Sequence, residues 1–160
     1  MKRYYFNVFS DYFAIYILDE GFRPKQEVWN KENLKQRIST EQGRITISTS
    51  RNMNSSLLLE IFEVEMPKVE NYFNLESWDH VVECSIEVLS GKIVILGNDY
   101  YPDAPRINLP PSIYHVTVYF GGLNTISEDG LFGNDVYWVI MQPGMTIESR
   151  VIKQWTDTEI

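Results

Sequence analysis

Apolar and polar residues alternate along most of this chain with a period of two, the repeat of strands that bury one face. Arg44-Ile45-Thr46-Ile47-Ser48-Thr49 puts Ile45 and Ile47 on one side. From His80 to Leu89, Val82, Cys84, Ile86 and Val88 point one way, while Glu83, Ser85 and Glu87 point the other. That pattern predicts a strand with one wet face. Tyr114, Val116, Val118 and Phe120 mark one face of a further strand, with His115, Thr117 and Tyr119 opposite. Tyr4–Phe9 and Tyr12–Leu18 are aromatic and β-branched runs separated by Ser10-Asp11. Ser56–Glu65 begins apolar on both faces, as does Val136–Met141, which is expected at the centre of a sheet. Lys92–Leu96 follows Ser90-Gly91, a hairpin signal. Ala104–Leu109 lies between prolines and belongs near a sheet edge.

Turn chemistry separates these runs, at Asn98-Asp99, Pro110-Pro111, Gly121-Gly122, Asp129-Gly130 and Pro143-Gly144 among others. Trp29–Ile38 reads as helix, with Asn30 as its cap and Leu34 and Ile38 sharing a face. A second, weaker helical pattern lies near Pro67–Phe73, and the pattern weakens again after Ser149. About eight or nine short strands predict an all-β fold. The expected form is an antiparallel β-sandwich, jelly-roll-like, with one short helix and residues 1–160 in a single domain; strand order separates it from a barrel.

Composition supports a globular domain. Apolar residues make up 44% of the 160 and charged residues 22%, so neither disorder nor a coiled coil fits. Net charge is −8, and its distribution is uneven. Residues 1–50 carry eight basic and six acidic side chains, whereas residues 51–160 carry six and sixteen. This argues against binding nucleic acid through its phosphates, against adhesion to an anionic membrane, and for a protein partner with a basic surface. Lys2 and Arg3 precede aromatics, but Asn7, Ser10 and Asp11 interrupt any leader-like apolar run. No stretch approaches the ~18 apolar residues of a membrane helix. The expectation is a cytoplasmic protein.

Catalytic chemistry finds little purchase. His80 and His115 lie on different predicted strands, and no metal-binding histidine pattern occurs. His80 has core parity and reads as a strand-end histidine bonded to backbone. Cys84 is alone and also has core parity, which makes it an inert thiol. No nucleophile elbow, phosphate loop or dinucleotide fingerprint is present, and no cofactor is expected. The polar residues concentrate in two loops. One is Gly97–Asp103 with Arg106; the other is Ser127–Gly130 with Asn134 and Asp135. Their carboxylates can build turns, grip an arginine of a partner, hold calcium or serve as acid and base. Trp78, Tyr100 and Tyr101 fall in predicted loops beside these acids, a combination used at protein-binding hot spots and sugar platforms. The candidate partner-binding set is Trp78, Asp99, Tyr100, Tyr101, Asp103, Arg106, Glu128, Asp129 and Asp135.

The segments Trp78–Glu83, Asp99–Ile107, Tyr119–Leu123 and Ser127–Leu131 together resemble a group of small bacterial proteins that bring no activity with them. Further upstream, Trp29 ahead of a short helix and Gly43-Arg44-Ile45-Thr46-Ile47 resemble the competence protein J family, as does the late strand entered through Leu109-Pro110-Pro111-Ser112-Ile113-Tyr114. Members of that family inhibit a DNA-entry nuclease. This sequence has Pro-Ser-Ile where the family has a Pro-Gly turn, and no inhibitor motif maps onto its residues. The resemblance implies an all-β binding protein. The resulting expectation is a non-enzymatic acidic module that neutralises a basic nuclease or toxin. The alternative is a sandwich binding sugar or calcium through the 97–106 and 127–135 loops.

Overall fold

The computed structural model describes residues 1–22, 27, 29–65 and 75–156. The strands are β1 (Lys2–Phe9), β2 (Ala14–Asp19), β3 (Ile38–Glu41), β4 (Arg44–Ser48), β5 (Asn54–Ile61), β6 (His80–Val88), β7 (Lys92–Leu96), β8 (Arg106–Asn108), β9 (Ser112–Gly121), β10 (Val136–Pro143) and β11 (Arg150–Lys153). One helix, α1, spans Lys31–Gln36. The expected second helix at Pro67–Phe73 lies outside the described residues.

Two sheets form a sandwich. One has the order β1-β5-β10-β9-β6-β11 and the other β3-β4-β2-β7-β8. The period-two pattern sends Ile15, Ile17, Ile45, Ile47, Ile93 and Ile95 inward from the smaller sheet. They meet Leu57, Leu59, Val82, Ile86, Val116, Val118, Tyr137 and Val139 of the larger one in a single core. Cys84 belongs to that core, and burial pushes its thiol up to about 12. The pairing is antiparallel except for β5 with β10, which run parallel. Val136–Met141 is interior, as its two apolar faces require, and β8 is an edge.

Three local readings change. The helix stops at Gln36 rather than Ile38. Asn30 caps it, its side-chain oxygen accepting the Asn33 N–H at 2.8 Å, and Arg37 turns the chain with φ 64°. Ile38 then enters β3 and is fully buried, while Leu34 is exposed. Burial in the sandwich core outweighs the i, i+4 pairing within one helix. Ser90-Gly91 does not close a hairpin, because β6 and β7 lie in different sheets. The turn carries the chain across the sandwich, and the Asp19 carboxylate accepts from both the amide (3.1 Å) and the hydroxyl (2.6 Å) of Ser90. After Ser149 the chain adds β11 to β6, with the register shifting between Val151 and Lys153. Among the described residues no helix is long and apolar enough to cross a membrane.

His80 joins α1 and the C-terminal segment to the larger sheet. It is fully buried, with Nε2 2.7 Å from the Gln36 carbonyl oxygen and Nδ1 accepting the Trp155 N–H at 3.0 Å. That pattern fixes the neutral tautomer protonated on Nε2, the backbone-bonded histidine read from the sequence. Burial lowers its pKa from 6.5 to about 4, partly offset by the Gln36 carbonyl. Between those values the unfolded chain takes up a proton that the folded chain refuses. The contribution is therefore complete above pH 6.5 and lost as pH falls toward 4, amounting to about 3 kcal/mol. Urea unfolding at pH 7 and pH 4.5 is expected to show most of this loss in the wild type, and a correspondingly smaller pH dependence in His80→Gln.

Candidate functional site

Strand directions gather four loops at one end of the sandwich. β1, β4, β7 and β9 run toward that end, and β2, β5, β8 and β10 leave it. The loops are residues 10–13, 49–53, 97–105 and 122–135. Backbone hydrogen bonds tie the first three together: Ser10 N–H to Met53 O, Thr49 N–H to Phe13 O, and Asn98 N–H to Phe9 O at the end of β1.

A buried polar network braces this end from below. Arg51 Nε donates to Asp135 Oδ1 at 2.6 Å, and its terminal nitrogens donate to the carbonyls of Leu131 (3.3 Å) and Asn54 (3.1 Å). The Tyr137 hydroxyl donates to the other Asp135 oxygen at 2.7 Å and accepts the Ser50 N–H at 2.8 Å. Burial and the neighbouring carboxylate push that phenol well above its ordinary pKa. Ser10, also fully buried, places its hydroxyl 2.7 Å from the carbonyls of Arg51 and Met53 and 2.9 Å from the Ser55 hydroxyl. The 10–13, 49–55 and 126–135 segments thus share one set of interior polar contacts.

Above the brace, the loops present large apolar side chains to solvent. Tyr12 is 85% exposed, Tyr100 73% and Phe132 69%. Tyr12 and Phe13 both have positive φ, 54° and 61°, a region that costs a residue other than glycine about 1–2 kcal/mol. The Asn52 side chain accepts the Tyr12 N–H at 2.9 Å and helps hold this conformation. Beside the pair lies an open groove of about 610 Å³, lined by Tyr12, Phe13, Tyr16, Glu27, Trp29 and Leu34. Glu27 is held in it by Arg44 and by the Trp29 indole N–H at 3.0 Å.

The structure sorts the residues singled out from the sequence. Asp99, Tyr100, Tyr101, Asp103, Glu128 and Asp129 are exposed at this loop end. Asp129 also builds its turn: the Ser127 hydroxyl and the Leu131 N–H hold its carboxyl below the usual range. Arg106 is occupied internally. It donates to Glu20 at 2.7 Å and to the carbonyls of Tyr101 and Ala104, with its guanidinium 4.8 Å from the Tyr101 ring centre. Trp78 is half-buried on the outer face of the larger sheet, 5.3 Å from the Trp138 ring. Asp135 is buried and engaged by Arg51 and Tyr137, so an exposed position for it is a misreading. Glu60 of β5 is likewise buried, beside Arg3.

Tyr12, Phe13 and Phe132 were not singled out from the sequence. The first two read as the start of a strand, although Ser10-Asp11 immediately before them is turn chemistry that extends through Phe13. Arg51 carried no periodic signal; its importance depends on Asp135, distant in sequence.

Acid–base and nucleophilic groups lie elsewhere or are tied up. His115 Nε2 sits 2.9 Å from Glu83 on the outer face of the larger sheet, and Arg150 binds the same carboxylate. Burial opposes ionisation of Glu83, but those two partners outweigh it and lower its pKa. Ser85, across the ladder from His115, is bonded to the backbone of Ile147 through its hydroxyl. Among the described residues no three of His, Cys, Asp and Glu converge as metal ligands.

No family model matches this chain, and no curated protein matches it. Two solved structures share its fold. ComJ from Bacillus subtilis, an inhibitor of the DNA-degrading activity of NucA, superposes with a TM-score of 0.61 at 16% identity, over 90% of this chain and 96% of its own. The product of crocagin biosynthetic gene J gives a TM-score of 0.53 at 11% identity, over 89% and 96%. The likeness to the competence protein J family read from the sequence therefore holds at the level of fold.

Removing the acid of the brace tests its role. Asp135→Ala leaves Arg51 buried without its counter-charge and is expected to cost about 3–5 kcal/mol in chemical denaturation. A partner-contact role alone would leave stability unchanged.

Proposed function

We propose that this protein is a non-enzymatic binding module of the inhibitor kind, which neutralises a nuclease or toxin with a basic surface. The observation that carries the reading is the loop end, where exposed Tyr12, Tyr100 and Phe132 stand among the exposed carboxylates of Asp99, Asp103, Glu128 and Asp129. Aromatic anchors ringed by charge are the usual makings of a protein-binding hot spot. The acidic excess after residue 50 adds a field that speeds encounter with a cationic protein and disfavours nucleic acid. ComJ supports the reading further, since a protein of the same fold inhibits a nuclease. For the calcium alternative, no three carboxylates converge among the described residues.

The test is stoichiometric inhibition. A nuclease or toxin encoded beside this gene would be assayed with and without the purified protein, and NucA included as a second target. Binding by calorimetry should weaken as salt rises from 50 to 500 mM. Absence of both binding and inhibition at 10 µM protein for every target would sink the proposal.

Two substitutions refine it. Tyr100→Ala is expected to weaken binding by about 30-fold, a hot-spot loss of about 2 kcal/mol, with thermal stability unchanged. Tyr12→Gly relieves the positive φ while removing the ring. It should leave stability equal or raise it by up to about 1 kcal/mol, yet weaken binding.

A further inference from the structure

The two sheets have four edges, and three are blunted against pairing with another strand. β3 has four residues. β8 has three, preceded by Pro105 and followed closely by Pro110-Pro111. β11 has four, and its ladder is irregular. Short strands, prolines and bulges are the ordinary devices that stop sheets from adding strands at their edges. β1 has none of these. It runs for eight residues, contains no proline, and pairs with β5 in unbroken register from Lys2 opposite Ile61 to Phe9 opposite Asn54. Among the described residues, the only backbone group on its far side with a partner is the Phe9 carbonyl, which accepts the Asn98 N–H, and Gly97 packs closely against the Val8–Phe9 end. Tyr5 is 72% exposed, and Tyr4 and Phe6 are half-buried and stacked at 6.3 Å.

We propose that β1 is a self-association edge, on which a second copy of this chain adds its own β1 antiparallel to form a two-fold dimer. The sequence of the strand is self-complementary in one register. An antiparallel ladder pairs positions of like hydrogen-bonding parity, so the two-fold must pass through a residue and not between two. Placed at Tyr5, it sets Tyr5 against its copy, Tyr4 against Phe6, Arg3 against Asn7 and Lys2 against Val8. The Tyr4–Phe6 stack continues into the partner, and aromatic pairs across strands are stabilising. Both cations face uncharged residues, so no like charges oppose. This register leaves Phe9, whose carbonyl already holds the Asn98 N–H, outside the ladder. A centre at Phe6 would bring Arg3 against Phe9, where Asn98 already sits.

The surface lies along the side of the sandwich, separate from the loop end, and its test does not require the nuclease or toxin partner. Sedimentation equilibrium from 1 to 500 µM is expected to show a reversible dimer of the 18.8 kDa chain. Tyr5→Glu and Tyr5→Lys each place like charges on the two-fold and should weaken self-association by about tenfold or more. An equimolar mixture of the two variants should restore it, because unlike charges then face each other. Circular dichroism would confirm that both exposed-site variants fold. A wild type that stays monomeric at 500 µM overturns the proposal. So does association that exceeds a dimer, a dimer insensitive to Tyr5→Glu, or a charge-swapped mixture that fails to pair.

Discussion

The ion pair between Arg51 and Asp135 is the constraint around which the loop end is arranged. A guanidinium and a carboxylate this close, both largely removed from water, are tolerated because every remaining polar atom around them is bonded in turn. Arg51 reaches Leu131 and Asn54, Asp135 takes the Tyr137 hydroxyl, and Ser10 holds the backbone of Arg51 itself. Three connections, residues 10–13, 49–53 and 122–135, that would otherwise move independently become one rigid platform. The positive φ angles at Tyr12 and Phe13 depend on that platform, since exposed aromatic residues left to themselves would relax toward extended backbone.

Much of the fold was legible because strand periodicity is local. Ile45 with Ile47, Val82 through Val88, and Tyr114 through Phe120 reported their buried faces within a few residues each. What escaped was decided at a distance. Ile38 looked helical beside Leu34 and became a strand because the core between the sheets had a place for it. Ser90-Gly91 has the chemistry of any tight turn, and only the placement of Asp19 shows that it crosses between sheets. β11 has a weak pattern of its own and is fixed by pairing with β6 and by the His80 contact to Trp155.

The candidate site shows the same division. Exposed acids and tyrosines in Gly/Pro/Asn-rich loops were readable, since turn chemistry places such residues outside. Asp135 differs from Asp129 only by having Arg51 beneath it, which no spacing reveals. Arg106 likewise spends its donors on Glu20 and on its own loop, so that Tyr101 is oriented by a cation instead of the cation being displayed. Exposed and structural polar residues thus alternate along the same loops.

The parallel pairing of β5 with β10 carries a kinetic consequence. Val136 lies opposite Ser56, and β10 also pairs with β9, so the strand in the middle of the larger sheet is synthesised after both of its neighbours. Until it inserts, β1 with β5 and β9 with β6 can exist only as separate ladders. Such distant pairings carry a large loop-closure entropy and slow the search, which favours maturation on the millisecond-to-second scale of high contact order. A nascent chain stalled before Val136 would leave the inner flanks of β5 and β9 open, and those flanks are where chaperones would find it.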